Sequence, residues 1–165
     1  MLALREGRLR SRAVLALPEP PEVLLVDATG RDHPRRAGLA LHLGAVLDLP
    51  TVGVTERPLA ASGRCPTDRR GAAEPLVLAG DVVGYCLRTR SGVRPVFVHA
   101  AWRTSPEVAV EIVLSSARHA RTPQPLRVAR RAARTARSGG GPRARRVGTD
   151  TIEREVLDGE DVERE

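Results

Sequence analysis

The sequence lacks most of the residues that mark a disulfide framework, a zinc site or a membrane segment. Two widely spaced thiols, Cys65 and Cys86, are its only cysteines, and they predict neither a disulfide framework nor a zinc site. No apolar stretch is long enough to span a bilayer, and residues 1–12 lack the continuous apolar segment of a signal peptide. These absences predict a protein of the reducing cytoplasm, without a membrane partner.

Aromatic residues and lysine are also scarce, and this shapes both the core and the charge. Aromatics are 2% of the 165 residues while apolar residues are 41%, so Leu, Val and Ala must build the core. No lysine occurs, and all 27 basic residues are arginines. Residues 150–165 hold eight acids and two arginines, which leaves 27 − 2 = 25 arginines against 20 − 8 = 12 acids in residues 1–149. The net charge of +13 on residues 1–149 favours a polyanionic partner, with nucleic acid more favoured than an anionic membrane. The alternative is a basic protein without such a partner.

The first third of the chain has the pattern of a βαβ unit that follows a helix. Residues 2–17 predict a helix, and the continuous apolar run 23–26 predicts a central parallel strand buried on both faces. A second helix is expected from about Pro34, with its apolar face over residues 39–47. Residues 51–54 predict the next buried strand, parallel to the first.

The remaining chain predicts a hairpin, a further strand and two helices. Residues 76–78 and 82–87 flank a glycine-containing turn, and a strand follows over residues 95–98. Ser105 and Pro106 predict the start of a helix, and an arginine-rich helix is expected after Pro125. We therefore predict a domain over residues 1–137, then a Gly/Arg linker and an acidic tail over residues 138–165.

Asp27 is the candidate functional residue that the pattern itself indicates, because it follows directly on a buried strand. Ligand sites in open α/β sheets cluster at the carboxyl ends of strands, and an aspartate there can bind Mg²⁺. A helix cap or loop aspartate is the alternative. His33 could position water or contact phosphate, or be an ordinary surface histidine, and Glu6 in its basic helix would ordinarily form a salt bridge; His42, His99 and His119 indicate no specific role.

Residues 24–40, LLVDATGRDHPRRAGLA, resemble the signature of the endonuclease V family, (V/L)DGHG-x-x-HPRR-x-G-x-A. The similarity continues through residues 42–44 and 48–54. Further matches are residues 74–76, 84, 87–90 and 92–95 and RTPQPL at 121–126, and the similarity covers roughly residues 2–135. The resemblance implies an α/β, RNase H-like mixed sheet flanked by helices. It also implies a hydrolase that cuts a phosphodiester near a deaminated base. The base is chiefly deoxyinosine in DNA, and in some members inosine in RNA. The implied cellular role is DNA repair.

The resemblance assigns roles to individual residues. Asp27 and Glu6 match metal-binding carboxylates, with Mg²⁺ as the ion and Mn²⁺ as the alternative, and with His33 they form the expected catalytic set. The residues expected to contact nucleic acid are Gly30, His33, Arg35, Arg36 and Arg103. The protein is expected to be a monomer.

The sequence also departs from the family pattern, and it is interpreted as an N-terminally truncated, divergent member. The family's antiparallel first strands, which carry another metal aspartate, have no counterpart, and neither has the wedge before Glu6. Substituted positions are Ala28, Thr29, Thr55 and Trp102. Three hypotheses follow: an endonuclease V-like nuclease impaired by these losses, a non-catalytic basic protein that binds nucleic acid, and a poorly folded fragment.

Overall fold

The computed structural model of the chain describes residues 2–139, with side chains from Gly7 onward. The elements are, in chain order, α1 (Leu2–Leu15), β1 (Leu24–Val26), α2 (Leu39–Leu47), β2 (Thr51–Thr55), β3 (Ala73–Leu78), β4 (Asp81–Leu87), β5 (Val96–Ala100), α3 (Pro106–Ser116) and α4 (Gln124–Arg137). The expected mixed α/β architecture is confirmed.

The five strands form one sheet in the order β1-β2-β5-β4-β3. β1 and β2 are parallel, with Val26 opposite Gly53, and the other neighbouring strands are antiparallel. The predicted parallel pair is therefore confirmed. The prediction that the first strand is central is wrong for the described residues, in which β1 is an edge strand and only Val26 is fully buried. β2 holds the more buried position, because it has neighbours on both sides.

The predicted hairpin is confirmed, and its turn is set by local backbone conformation. Ala79 and Gly80 both have positive φ, 50° and 88°, as a two-residue type I′ connection requires. Leu78 pairs with Asp81 across this turn. Pro75 is tolerated because β3 is the other edge of the sheet, where one side of the strand needs no amide donor.

The prediction that a helix starts near Pro34 is wrong, because α2 begins at Leu39. Arg36 has a φ of 54°, and this left-handed conformation cannot continue a right-handed helix. The Gly38 amide donates to the Gly30 carbonyl at 2.9 Å, and this hydrogen bond joins the two ends of the segment between β1 and α2. Residues 28–38 are consequently a closed loop between β1 and α2.

Apolar side chains pack on both faces of the sheet. One cluster joins Val52, Val54 and Val98 to α3 and to Leu126 of α4, and the other joins Val26 to α2 and Ala101. Ser105 caps α3 by accepting a hydrogen bond from the Val108 amide at 3.2 Å, as its sequence predicts. The helices are thus distributed over the two faces, and the loop after β1 shares the α2 face.

The chain divides into two compact units, Met1–Arg131 and Ala132–Glu165. The first contains the sheet, α1, α2 and α3, and the described part of the second is the end of α4 with the residues up to Gly139. Within residues 2–139, no helix has the length and apolar character needed to cross a membrane. The predicted linker and acidic tail lie outside the described residues, apart from Ser138 and Gly139, and the predicted domain boundary remains a prediction.

Candidate active site around Asp27

Asp27 directly follows β1, so its carboxylate lies at the carboxyl end of the parallel pair, as the sequence predicts for a ligand site. Its Oδ2 accepts two hydrogen bonds from Arg130 of α4, from Nε at 3.0 Å and from Nη2 at 2.7 Å. The Asp27 side chain is 44% exposed and the Arg130 side chain 38% exposed. The candidate acid is therefore accessible to water but already paired with a cation.

Two glycines that admit no side chain, one in β2 and one in the loop after Asp27, let this loop lie directly against the sheet. A Cβ on Gly53 of β2 would lie 2.4 Å from the Ala28 carbonyl oxygen, and one on Gly30 would lie 2.2 Å from the Ala100 oxygen. Arg31 donates its amide to the same Ala100 oxygen at 3.0 Å. The loop is consequently fixed against β2 and β5, and this close contact determines where Asp27 can lie.

Asp32, in the same loop, is fully buried and holds a neighbouring segment in place. Its carboxylate accepts hydrogen bonds from the amides of Leu59, Ala60 and Ala61 at 2.7, 2.7 and 2.6 Å. Burial by itself raises the Asp32 pKa, but these three donors outweigh it and leave the pKa below its usual value. Asp32 is therefore a structural anion that connects the loop after β1 to the segment after β2.

His99 of β5 is fully buried beside this anion. Its Nε2 lies 2.8 Å from Thr55 Oγ1, and its Nδ1 lies 3.7 Å from Asp32 Oδ2 without a hydrogen-bond partner among the described atoms. Burial lowers the His99 pKa to about 4, although the Asp32 charge acts in the opposite direction. Because the ring is then neutral at pH 7, we regard the 3.7 Å contact as a packing contact rather than an ion pair at that pH.

The buried His99 should make folding stability sensitive to mild acid. Its pKa is about 4 in the folded chain and 6.5 ordinarily, so between these values the unfolded chain binds a proton that the folded chain does not. The free energy of unfolding should therefore fall as the pH drops from about 6.5 towards 4, by of the order of 1–3 kcal/mol. Urea denaturation at pH 7.0, 5.5 and 4.5 measures this fall.

Two histidine variants test that assignment. His99→Gln should flatten the pH dependence above pH 4.5, whereas His119→Gln, at an exposed position after α3, should leave it unchanged. Equal pH dependence in the parent and His99→Gln would show that His99 is not the group responsible.

The signature residues His33, Arg35 and Arg36 form a tight turn in the loop. The Arg35 amide donates to His33 Nδ1 at 3.1 Å, so the ring nitrogen is occupied by the turn itself. Arg36 Nη2 donates to the Leu78 carbonyl at 2.8 Å and to Asp81 Oδ2 at 3.0 Å, which links the loop to the β3–β4 turn. The Arg35 side chain is exposed. Of the three, Arg35 is thus the most accessible to an anionic ligand.

The remaining predicted site residues lie elsewhere or cannot be placed fully. Arg103 pairs with Asp48 at 2.9 Å, beside the amino end of β2, whereas Asp27 lies beyond the carboxyl end of β1. The fold therefore places Arg103 and Asp27 at opposite ends of the parallel pair β1 and β2. Glu6 belongs to α1, and its side chain lies outside the described part of the structure; at the next residue, Gly7, α1 closely approaches His42 of α2.

Sequence patterns missed the two residues that most affect this site, Arg130 and His99. Arg130 is one of many arginines in α4, and its spacing of four from the apolar Leu126 was the available signal. His99 stands among apolar residues in β5, which indicated burial but no partner. In both cases the partner lies far away in the sequence, so no local pattern could identify it.

The described side chains leave a divalent metal ion few free carboxylate oxygens. Mg²⁺ takes oxygen ligands, but Oδ2 of Asp27 is engaged with Arg130 and the Asp32 carboxylate with three amides. Among the side chains described, no group of three or more His, Cys, Asp or Glu residues is placed to hold an ion.

Comparisons with known proteins agree on one family. The family model for Endonuclease V matches residues 1–131. The chain is 45% identical over 129 residues to "Endonuclease V" of Methanothrix thermoacetophila, an alignment that covers 78% of this chain and 57% of that protein. The chain thus spans less than two thirds of the length of this relative.

Solved structures show the same fold. The Streptomyces avermitilis endonuclease V structure matches with a TM-score of 0.79 at 41% identity, covering 84% of this chain and 60% of that one. A Ciona intestinalis endonuclease V variant, D234N in its own numbering, was solved with a 23mer DNA containing an inosine followed by a ribo-adenosine. It matches with a TM-score of 0.71 at 25% identity, covering 84% of this chain and 65% of that one. With a family model over most of its length and the same fold in solved members, this chain belongs to the endonuclease V family.

Proposed function

We propose that this chain acts on nucleic acid as an endonuclease V-type hydrolase, cutting a phosphodiester near a deaminated base, with Asp27 as its essential carboxylate. The observation that carries the proposal is the position of Asp27, accessible at the carboxyl end of the parallel strands in a family-matched fold. The inosine-containing DNA bound by the Ciona relative supports deoxyinosine as the substrate to test first.

The distribution of charge supports a nucleic-acid substrate. Residues 1–149 carry 25 arginines and 12 acids, and α4 alone contributes five arginines over Gln124–Arg137 without an acid. Lysine-free, arginine-rich surfaces suit phosphate groups, since guanidinium can donate two parallel hydrogen bonds to one phosphate. Electrostatic attraction of this kind brings any strand to the protein, so recognition of the deaminated base must arise from other contacts.

The family resemblance further suggests a role in DNA repair and a requirement for Mg²⁺, with Glu6 and Asp27 as its carboxylate ligands. These remain proposals, because Arg130 engages Asp27 and the Glu6 side chain is not described. The residues proposed to lie near the substrate are on the loop that follows Asp27: Gly30, His33, Arg35 and Arg36. Arg103 remains a proposed phosphate contact, at the opposite end of the parallel strands from Asp27.

Cleavage of a matched pair of substrates tests the proposed activity. The full chain is incubated in Mg²⁺, and separately in Mn²⁺, with a labelled duplex containing one deoxyinosine and with the same duplex containing deoxyadenosine. We expect one major cut near the inosine and at least about a tenfold preference over the control duplex, about 1.4 kcal/mol in the barrier. Equal cleavage of both duplexes, or none of either, would contradict the proposal; an inosine-containing RNA strand compares DNA with RNA.

Non-catalytic nucleic-acid binding is the second candidate, and the Asp27–Arg130 ion pair is the observation that favours it. A carboxylate neutralised by a guanidinium is less able to assist hydrolysis, whereas the surrounding arginines remain able to bind phosphate. Binding measured by fluorescence anisotropy at several salt concentrations, alongside the cleavage assay, separates the two. Binding that weakens steeply with salt but occurs without cleavage supports this candidate, and affinity independent of salt contradicts it.

A further inference from the structure

The Asp27–Arg130 contact joins residues 103 positions apart, both within the unit Met1–Arg131. Two nitrogens of the guanidinium donate to the same oxygen, Oδ2, at 3.0 and 2.7 Å. A charge-assisted pair with two donors is stronger and better oriented than a single contact between flexible side chains. The family signature predicts that Asp27 binds a metal ion, but its carboxylate is already paired with the Arg130 guanidinium of the same chain.

The packing of α4 explains why Arg130 faces Asp27. Leu126 is buried in the cluster on the β2–β5 face, and Arg130 follows it by four residues, so the two lie on the same side of the helix. The segment before α4 is also fixed, because Arg121 donates to the carbonyls of Arg94 and Pro95 at 2.9 and 3.0 Å. Burial of Leu126 therefore turns this side of α4, and with it the Arg130 side chain, towards the end of β1.

Arg130 and a divalent ion would bind the same carboxylate and carry charge of the same sign. An ion that approached Asp27 would be repelled by the guanidinium at short range, and it would have to displace the guanidinium from Oδ2 to use both oxygens. We propose that Arg130 is a built-in competitor at Asp27, so that this chain binds a divalent ion there weakly unless the guanidinium moves away. This proposal does not depend on whether the chain cleaves nucleic acid.

Titration of the full chain with Mn²⁺, followed by electron paramagnetic resonance of the free ion, tests the competition without any substrate. Arg130→Gln removes the charge and should strengthen Mn²⁺ binding by at least about fivefold, the factor that loss of a partly exposed ion pair alone would give. Arg130→Met keeps the aliphatic stem and must show the same gain. Arg127→Gln is the matched control, since it removes an exposed arginine from the same helix, and its affinity should equal that of the parent.

A double variant locates the gain in affinity. Asp27→Asn combined with Arg130→Gln should return Mn²⁺ binding to the level of the parent, because the carboxylate that gained the ion is gone. The proposal is overturned if the parent already binds Mn²⁺ through Asp27 with the affinity of Arg130→Gln, or if the double variant keeps the gain. Neither result depends on cleavage, so failure here is distinguishable from failure of the nuclease assay.

Discussion

Replacing Asp27 with Asn should reduce cleavage of a deoxyinosine-containing strand by at least about 100-fold, which corresponds to about 2.7 kcal/mol of lost transition-state stabilisation. The amide keeps the volume of the side chain and one acceptor oxygen, but it carries no negative charge. It can therefore neither accept a proton from attacking water nor attract a cation. Single-turnover cleavage of the labelled duplex measures the effect, with enzyme in excess over substrate.

The stability of Asp27→Asn should change little, and this separates a chemical role from a structural one. Its ion pair with Arg130 is about 40% exposed on both sides, so its loss should cost no more than about 1 kcal/mol in urea denaturation. Asp48→Asn is the matched control, because Asp48 also pairs with one arginine but lies beside the amino end of β2, at the opposite end of the parallel pair from Asp27. Cleavage by Asp27→Asn within threefold of the Asp48→Asn rate would refute the proposed role of Asp27.

Replacing Asp32 with Asn should cause the larger loss of stability, about 3 kcal/mol in the free energy of unfolding at pH 7. The carboxylate accepts three backbone amides while fully buried. An asparagine offers one acceptor oxygen, and its amide nitrogen would face donors rather than acceptors. At least one of the amides of residues 59–61 would then lose its acceptor.

Urea denaturation of Asp32→Asn and of Asp81→Asn compares a buried with an exposed carboxylate. Asp81 is 73% exposed and pairs with Arg36, so its substitution should cost less than about 1 kcal/mol. If both variants lose the same free energy, the three amide contacts contribute nothing measurable to folding. The backbone amides of residues 59–61 should exchange with solvent faster in Asp32→Asn than in the parent, and Asp81→Asn should leave their exchange unchanged.

Local patterns predicted most elements because each pattern reflects a short-range requirement. The apolar runs became β1 and β2, the positive-φ turn closed the β3–β4 hairpin, and Ser105 capped α3. The predicted start of α2 was wrong, since Pro34 suits a helix start but Arg36 adopts a left-handed conformation inside a loop closed by Gly38 and Gly30. That closure depends on the sheet beneath the loop, which local propensity does not include.

The sequence by itself determined the family, the order of the elements and the place of Asp27 at the end of a strand, because these depend on residues close together in the chain. Only the tertiary structure decided what surrounds Asp27 and Asp32. Arg130 reaches Asp27 across 103 positions because Leu126 packs into the core, and Asp32 meets residues 59–61 because glycines let the loop lie against the sheet. Side chains so far apart in sequence meet through packing, and in this chain that packing places a guanidinium on the carboxylate that the sequence presents for a metal.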